Sequence, residues 1–208
     1  MQNILSFLLI LVSIISGINL KGQQPILPEP PAGYRLVFHD EFDYKGAPDS
    51  SKWSFETGFI RNHEPQWYRP QNARVGNGML TITVRKESFR NEYYDGKSDD
   101  WRINTPSAQY TSASVISKGK FEFRYGKLQA RLRINTAKGQ WPALWMLGVN
   151  RGPVPWPACG EVDIMEYYRG LMHANLAWQG DKDNSTWSAK KHVISQLGDE
   201  AFWQEFHI

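Results

Sequence analysis

The stretch Lys127-Leu128-Gln129-Ala130-Arg131-Leu132-Arg133-Ile134 decides the fold class, because apolar and polar residues alternate along its whole length. A period of two places the four apolar side chains on one face of an extended strand and the four polar side chains on the other. Periods of 3.6 residues, which indicate amphipathic helices, are scarce in the chain. The stretch is therefore predicted to be a β-strand with one face against a core.

Other short segments are rich in β-branched and aromatic residues and are separated by Gly, Asn and Pro clusters, a pattern typical of strands joined by turns. These predicted strands are Tyr34–His39, Met79–Arg85, Gln109–Ile116, Lys120–Tyr125, Trp141–Leu147, Glu161–Tyr167 and Leu171–Trp178. Many short strands with turn residues between them indicate an antiparallel sandwich. We therefore expect an all-β protein, an antiparallel β-sandwich or jelly roll.

Composition excludes several classes of protein. The 24 Lys and Arg residues against 21 Asp and Glu give a formal charge of +3. The basic residues do not cluster into the stripe that a nucleic-acid-binding protein usually carries, so nucleic acid is not an expected partner. A single cysteine, Cys159, excludes an internal disulfide framework and any multi-thiolate metal site. Aromatic residues are abundant, at 13% of the chain, and many of them surround the acidic segment described below.

The N-terminal segment is predicted to be separate from the domain. Ile4–Leu20 is apolar and uncharged, and Lys21 and a proline-rich stretch follow it. We interpret residues 1–22 as a secretory signal peptide, residues 23–33 as a Pro-rich linker and residues 34–208 as the functional domain. An uncleaved membrane anchor is the alternative interpretation of the apolar segment. The expected location is outside the cytoplasm: secreted, periplasmic or at the cell surface.

The C-terminal residues Phe202–Ile208 end while an apolar pattern is still developing. A sandwich that stopped there would leave an unpaired edge strand. We therefore expect the domain to be incomplete at its C-terminus. The exported part is expected to be a monomer without stable membrane insertion.

The acidic segment Glu161-Val162-Asp163-Ile164-Met165-Glu166 carries the functional signal. On a strand, Glu161 and Asp163 share one face while the β-branched residues between them enter the core. Glu166 is an odd number of residues from Glu161, so a regular strand would bury it. A β-bulge at Ile164-Met165 would return it to the acidic face and align three carboxylates.

Two interpretations of this acidic face are open. A solvated strand surface is the simpler one, but five aromatic residues lie close to it in sequence: Trp141, Trp145, Trp156, Tyr167 and Tyr168. The other is glycoside hydrolysis, in which a nucleophilic carboxylate and an acid/base carboxyl must lie close together. Like-charge repulsion from Asp163 would raise the proton affinity of its neighbours and allow one carboxyl to stay protonated near neutral pH.

Two blocks of sequence together resemble glycoside hydrolase family 16, in particular its laminarinase-like, endo-β-1,3-glucanase branch. They are Trp156-Pro157-Ala158-Cys159-Gly160-Glu161-Val162-Asp163-Ile164-Met165-Glu166-Tyr167 and Trp141-Pro142-Ala143-Leu144-Trp145-Met146-Leu147-Gly148. The similarity extends from Phe38 to Trp178. It implies a concanavalin A-like jelly roll and retaining endo-hydrolysis of a β-linked glucan or galactan, with polysaccharide as the partner. It also implies Glu161 as nucleophile, Asp163 as its electrostatic helper and Glu166 as acid/base.

Six further residues are candidates for substrate binding. Trp141 and Trp145 are four residues apart and fall on one strand face, where indoles stack on sugar rings or pack in a core. Gln129 and Arg131 share the polar face of their strand, and the resemblance favours a glutamate where Gln129 stands. His173 is either a substrate contact or a structural residue, and Asn62 lies in a loop that mixes amides with aromatics. The resemblance also implies a second histidine where Ala177 stands.

The function could differ in three ways from glucan hydrolysis. The same acidic motif would suit a galactan hydrolase acting on agar, porphyran or carrageenan, or a carbohydrate-binding protein without catalysis. A metal-dependent hydrolase could use the three acids and His173 as ligands, although paired histidines with zinc-site spacing are missing. No cofactor or catalytic metal is expected, and a structural calcium at Glu41 and the backbone near Gly78 is left open by the resemblance.

Overall fold

The structure is a computed structural model that describes residues 29–181 and 184–193 and the backbone of residues 204–207. The signal peptide predicted for residues 1–22 lies outside the described residues, as does the first part of the predicted linker. The chain divides into two compact units, Met1–Val37 and Phe38–Ile208. Within the described ranges, no helix has the length and apolar character needed to cross a membrane.

Strands dominate the described residues, in agreement with the alternation of the sequence. They are β1 (Ser54–Glu56), β2 (Gln66–Tyr68), β3 (Ala73–Gly76), β4 (Met79–Ile82), β5 (Arg85–Arg90), β6 (Ser107–Ser112), β7 (Ser114–Ile116), β8 (Gln129–Leu132), β9 (Ala143–Leu147), β10 (Glu161–Tyr168), β11 (Leu171–Gln179), β12 (Ser185–Val193) and β13 (Gln204–His207). Short helical turns occur at Pro70–Asn72 and at α1 (Trp101–Asn104). The Asp100 side chain caps α1 by accepting a hydrogen bond from the Arg102 N–H at 2.9 Å.

The largest sheet of the described part has four antiparallel strands in the order β12-β11-β10-β9. A three-stranded sheet has the order β2-β6-β5, and two-stranded pairs join β1 to β7, β3 to β4 and β8 to β13. The pairing of β2 with β6 is parallel, which the prediction of an antiparallel fold did not include. The all-β class itself is confirmed.

The alternation of exposure along Lys127–Ile134 is as predicted, but the strand covers only Gln129–Leu132. The apolar residues of this stretch are half-buried and its polar residues are exposed, with β8 forming the central part. Leu132 and Ile134 pack against a buried cluster of Met165, Tyr167 and Met172. The apolar face of this segment and the inner face of β10 and β11 therefore share one core, and the polar faces point away from it.

Two predicted strands do not form. Tyr34–His39 contains no strand, and its Tyr34 N–H instead closes a turn onto the Pro31 carbonyl at 2.9 Å. Lys120–Tyr125 begins as a turn on the Ser117 carbonyl, and Phe121 stacks on Phe38 with ring centroids 4.5 Å apart. Alternating aromatics are used here for ring packing and not for a strand ladder, a distinction that periodicity alone does not make.

The predicted strand Met79–Arg85 is interrupted. β4 ends at Ile82, and Thr83 leaves the ladder to exchange two hydrogen bonds with buried Asn72. The Asn72 backbone carbonyl accepts from the Thr83 N–H at 2.8 Å, and the Asn72 Nδ2 group donates to the Thr83 carbonyl at 2.7 Å. The backbone and the side chain of one residue thus satisfy both backbone groups of Thr83. The long edge strand β12 was not predicted, because most of its side chains are exposed and no apolar face marks it.

Replacing Met165 by Ala should lower the free energy of unfolding by about 2–4 kcal/mol, because the side chain is 3% exposed and its removal leaves a cavity beside Tyr167 and Met172. Denaturant unfolding followed by tryptophan fluorescence measures the change. Val149→Ala is the control, since Val149 is 71% exposed and should change stability by less than about 0.5 kcal/mol. Equal losses in both variants would contradict the assigned core.

Candidate active site

A β-bulge in β10 places three carboxylates on one face of the four-stranded sheet. Asp163 pairs with Asn175 on β11, and Glu166 pairs with His173. Two residues of β10, Ile164 and Met165, therefore lie opposite the single residue Ala174 of β11, which is the definition of a bulge. The register with β9 shifts at the same place. The bulge predicted at Ile164-Met165 is confirmed, and it aligns Glu166 with Glu161 and Asp163 in what we call the acidic row.

The register defines which side chains face the acidic row across neighbouring strands. Trp145 on β9 and Asn175 on β11 flank Asp163. Residues Leu147, Ala177 and Trp187 lie level with Glu161, on β9, β11 and β12 respectively. Ala143, His173 and Lys191 lie level with Glu166 on the same three strands. The face is thus a band of acids bordered by indoles, an amide and an imidazole.

Neutral donors hold the acidic row in place. Asn175, which is 8% exposed, donates from Nδ2 to Asp163 Oδ2 at 2.9 Å and to Glu166 Oε2 at 2.8 Å. Trp141 donates from its indole nitrogen to Glu166 Oε1 at 2.7 Å. One amide group therefore bridges two carboxylates, and both oxygens of Glu166 accept a hydrogen bond. Such bonds orient the acids without neutralising them as a cation would.

Burial raises the pKa of Glu161 from its ordinary value of 4.5 to about 7. The nearby charge of Asp163 contributes in the same direction, and a hydrogen bond from the Trp156 indole opposes it. The pKa of Asp163 is also raised, first by burial and then by the charge of Glu166, while the bond from Asn175 lowers it. Near neutral pH, Glu161 therefore exchanges between the protonated and ionised forms beside a second carboxyl that shares its hydrogen bond.

Trp145 is half-buried at the β9 border of the acidic row and carries a cation on its face. The Arg61 guanidinium lies 5.1 Å from the Trp145 ring centroid and 5.8 Å from that of Tyr68. Arg61 also forms an ion pair with Glu56, whose carboxylate accepts a second bond from Ser114 Oγ at 2.6 Å. These contacts attach the loop between β1 and β2 to the sheet that holds the acids.

Asn62 lies in that loop, next to Arg61. It is exposed and has a φ of 56°, a left-handed conformation that asparagine tolerates better than most residues. Its amide donates to Glu64 Oε1 at 3.3 Å, and Glu64 in turn accepts from Gln66 and Tyr68. The loop is thus held by its own polar network.

The remaining predicted site residues lie at different distances along the sheet from the acidic row. His173 lies directly across from Glu166, and its Nε2 atom is buried without a hydrogen-bond partner among the residues that the structure describes. Gln129 and Arg131 lie on the exposed face of β8, the face opposite the shared core. Trp141 precedes β9 and contacts Glu166, while Trp145 lies across from Asp163. Their roles toward a substrate stay predictions.

Three residues of the site were missed by the sequence analysis. Asn175 could have been found by counting two residues from His173 along β11, because residues i and i+2 share a strand face. Trp156 was noted only as part of an aromatic neighbourhood, although its indole lowers the pKa of Glu161. Arg61 reaches the site only through the packing of a distant loop, and no local sequence signal marks it.

No group of three or more His, Cys, Asp or Glu side chains is arranged to hold a metal ion among the residues that the structure describes. The acidic row with His173 therefore does not form such a group. Glu41, the residue associated with a structural calcium, is exposed and belongs to no such cluster. The calcium stays a prediction.

The four-stranded antiparallel sheet carries a row of acids with exposed indoles beside it. Residues 61–208 match the family described as glycosyl hydrolases family 16. The chain belongs to glycosyl hydrolase family 16, and the resemblance read from the sequence is confirmed. Its fold is the jelly roll of that family.

Several relatives share substantial identity with the chain. The beta-glucanase of Rhodothermus marinus is 37% identical over 164 residues, which cover 76% of this chain and 51% of that protein. Glucan endo-1,3-beta-glucosidase A1 of Niallia circulans is 34% identical over 203 residues, which cover 85% of this chain and 28% of that protein. The chain thus spans about half, or less, of the length of these relatives.

Solved structures agree with the fold. The laminarinase catalytic domain of Thermotoga maritima superposes with a TM-score of 0.67 at 36% identity, covering 84% of this chain and 69% of the other. A structure from work on endo-acting O-glycanases of the human gut microbiota that initiate mucin breakdown superposes with a TM-score of 0.77 at 32% identity. It covers 86% of this chain and 65% of the other.

Glu161→Gln should stabilise the protein at pH 8 more than at pH 5. A carboxyl whose pKa rises from 4.5 to about 7 on folding contributes stability below pH 4.5 and loses it as the pH rises through 7. The neutral amide removes this loss, and solvent screening keeps the gain at about 1–2 kcal/mol. Thermal unfolding should show a gain in Tm of about 2–6 °C at pH 8. An equal gain at both pH values would refute the assigned ionisation.

Proposed function

We propose that this protein is a retaining endo-glycosidase that hydrolyses β-1,3 or mixed β-1,3/1,4-glucan. The observation that carries the proposal is the bulged strand β10, which puts Glu161, Asp163 and Glu166 on one face with Asn175 bridging two of them. A solvated strand surface would not need a buried amide and two indoles as hydrogen-bond donors. A site that protonates one carboxyl and ionises another does need them.

The reaction follows from the roles proposed for the acids. Glu166 donates a proton to the glycosidic oxygen while ionised Glu161 attacks the anomeric carbon, which breaks the glycosidic bond and forms a covalent glycosyl-enzyme. Glu166, now a carboxylate, takes a proton from water, and the water oxygen displaces Glu161. Two inversions give net retention of the anomeric configuration. Asp163 acts as the electrostatic helper by sharing a proton with Glu161 before the attack.

Neutral glucan is the substrate we propose first. Two relatives are named for cleavage of glucan, and the Thermotoga maritima structure is of a laminarinase. The substrate contacts that we propose are Asn62, Trp141, Trp145 and His173, with Gln129 and Arg131 from β8. Indoles at the borders of the acidic row suit the C–H faces of glucose units. We further propose that the protein is exported and acts as a monomer on polysaccharide outside the cytoplasm.

A galactose-containing or sulfated glycan is the second candidate substrate. Lys191 lies level with Glu166 on the face of the acidic row and adds a positive charge there. Among the relatives are a keratan-sulfate endo-1,4-beta-galactosidase of Sphingobacterium multivorum, 30% identical, and a kappa-carrageenase of Pseudoalteromonas carrageenovora, 29% identical. Reducing-sugar release from laminarin, mixed-linkage glucan, keratan sulfate and carrageenan compares the two candidates directly. Lys191→Gln should lower release from the sulfated substrates alone.

Chemical rescue tests the two proposed catalytic residues. Glu161→Ala should lower the hydrolysis of dinitrophenyl β-laminaribioside by at least about three orders of magnitude, because no nucleophile remains. Added azide should restore turnover and yield the α-glycosyl azide, since a single displacement inverts the configuration. Product configuration is read by NMR.

Glu166→Ala provides the matched comparison. With the activated leaving group, the glycosyl-enzyme still forms on Glu161, so azide should yield the β-glycosyl azide. If Glu161→Ala gave the β-glycosyl azide and Glu166→Ala gave the α-glycosyl azide, the roles of nucleophile and acid/base would be exchanged. If neither variant loses activity, the acidic row is not catalytic, and glucan binding without hydrolysis would leave a binding protein.

Asp163→Asn should move the acidic limb of the pH profile of kcat/KM toward lower pH, by about one unit. The charge of Asp163 helps to raise the pKa of Glu161, so the neutral amide lets Glu161 ionise in more acidic solution. The maximal rate should fall, because the shared proton is lost. A limb that stays in place would show that burial alone sets the ionisation of Glu161.

A further inference from the structure

We propose that Trp156 and Trp187 form an aromatic platform, seated over Ala177, that binds a pyranose unit of the substrate about two units away from the cleaved bond. The proposal rests on the proposed function, since it extends the same site across the sheet. It assigns a binding role to β12, an edge strand that the sequence analysis did not predict.

The platform is placed by strand register. Ala177 lies between Glu161 on β10 and Trp187 on β12, all on one level of the same face. Neighbouring strands are about 4.8 Å apart, so the Trp187 backbone lies about 10 Å from that of Glu161, roughly the length of two pyranose units. A chain with its anomeric carbon at Glu161 therefore reaches Trp187 after about two units if it runs across the strands.

Trp156 lies between Glu161 and Trp187, the two outer residues of this row across the strands. Its indole lies beside Glu161 and lowers the pKa of that carboxyl, and its ring centroid lies 5.9 Å from that of Trp187 at an angle of 52°. The two side chains remain 42% and 49% exposed. Two adjoining indoles left open to solvent beside a row of acids are surfaces that sugar C–H faces can cover.

Ala177 makes this arrangement sterically feasible. Ala177 is 2% exposed, so the space above its backbone, between Glu161 and Trp187, is filled by little more than a methyl group. A larger side chain at this position would occupy the face between Glu161 and Trp187 and displace one of the indoles. The small residue therefore determines that this side of the site is lined by indoles.

The opposite border gives the direction of the chain. Trp145 lies level with Asp163 on β9, on the other side of the acidic row from β12. Aromatic faces therefore lie on both sides of β10, across the strands. A substrate that uses both must extend in both directions from the cleaved bond, so the class inferred is a β-linked chain of at least about four units.

The test compares Trp187→Ala with Trp178→Ala. Trp178 is a matched control because it is 41% exposed and its position next to Ala177 on β11 directs it to the opposite face of the sheet. We expect Trp187→Ala to lower kcat/KM for laminarihexaose about 10-fold. The value for dinitrophenyl β-glucoside, which reaches no further than one unit, should be unchanged. Trp178→Ala should change neither value.

Affinity electrophoresis in gels that contain laminarin, agarose or carrageenan gives a readout that needs no catalysis. Trp187→Ala should lose retardation that wild type and Trp178→Ala retain. Ala177→His, which keeps both indoles but separates them, should weaken retardation as well. Circular dichroism verifies that each variant is folded.

The outcomes separate this inference from the proposed function. Wild-type hydrolysis with no difference between the two tryptophan variants would overturn the platform and leave the proposed function intact. Retardation that depends on Trp187 without any hydrolysis would support the platform and overturn the proposed function. Wild-type protein that is retarded in none of the gels and hydrolyses laminarihexaose no better than Trp187→Ala would overturn the platform.

Discussion

The extra residue in β10 is the constraint on which the site depends. Without it, the strand would alternate regularly and Glu166 would fall on the face that carries the core, a position where an unpaired carboxylate is costly. With it, Met165 and Tyr167 pack beneath the sheet while Glu161, Asp163 and Glu166 share the opposite face. One bulge thus allows β10 to bury its apolar residues in the core and to keep its three acids on the opposite face. The irregularity lies inside the largest sheet of the described residues.

Three neighbouring carboxylates repel one another, and the manner in which the protein offsets this repulsion determines their chemistry. A cation beside Glu161 would hold its pKa low, but the donors that reach the row are the neutral amide of Asn175 and the indoles of Trp141 and Trp156. These donors orient the carboxylate oxygens. Burial and the charge of the neighbouring carboxylates therefore dominate the pKa of Glu161, which is about 7. The Arg61 guanidinium on the β9 border is paired with Glu56 and lies on the face of Trp145.

The parts of the molecule that sequence could predict are those fixed by local spacing. Alternation in Lys127–Ile134 and the odd offset between Glu161 and Glu166 are properties of consecutive residues, and both predictions are confirmed. Asn72 and Arg61 act through contacts with strands far away in sequence, which periodicity does not encode. Lys120–Tyr125 shows the reverse case, because its aromatic alternation suits ring packing against Phe38 as well as it suits a strand.

The two halves of the site are subject to different constraints. The acidic row is fixed from below by the core and from the side by Asn175, so a substitution in β10 disturbs both packing and ionisation. The residues of β12 face solvent along most of the strand, and their main constraint is the register to β11. Side chains such as Trp187 and Lys191 can therefore change with little effect on folding. Relatives named for glucan, carrageenan and keratan sulfate are compatible with this separation, because an acidic row fixed by the core can serve different polysaccharides when the solvent-facing strand beside it changes.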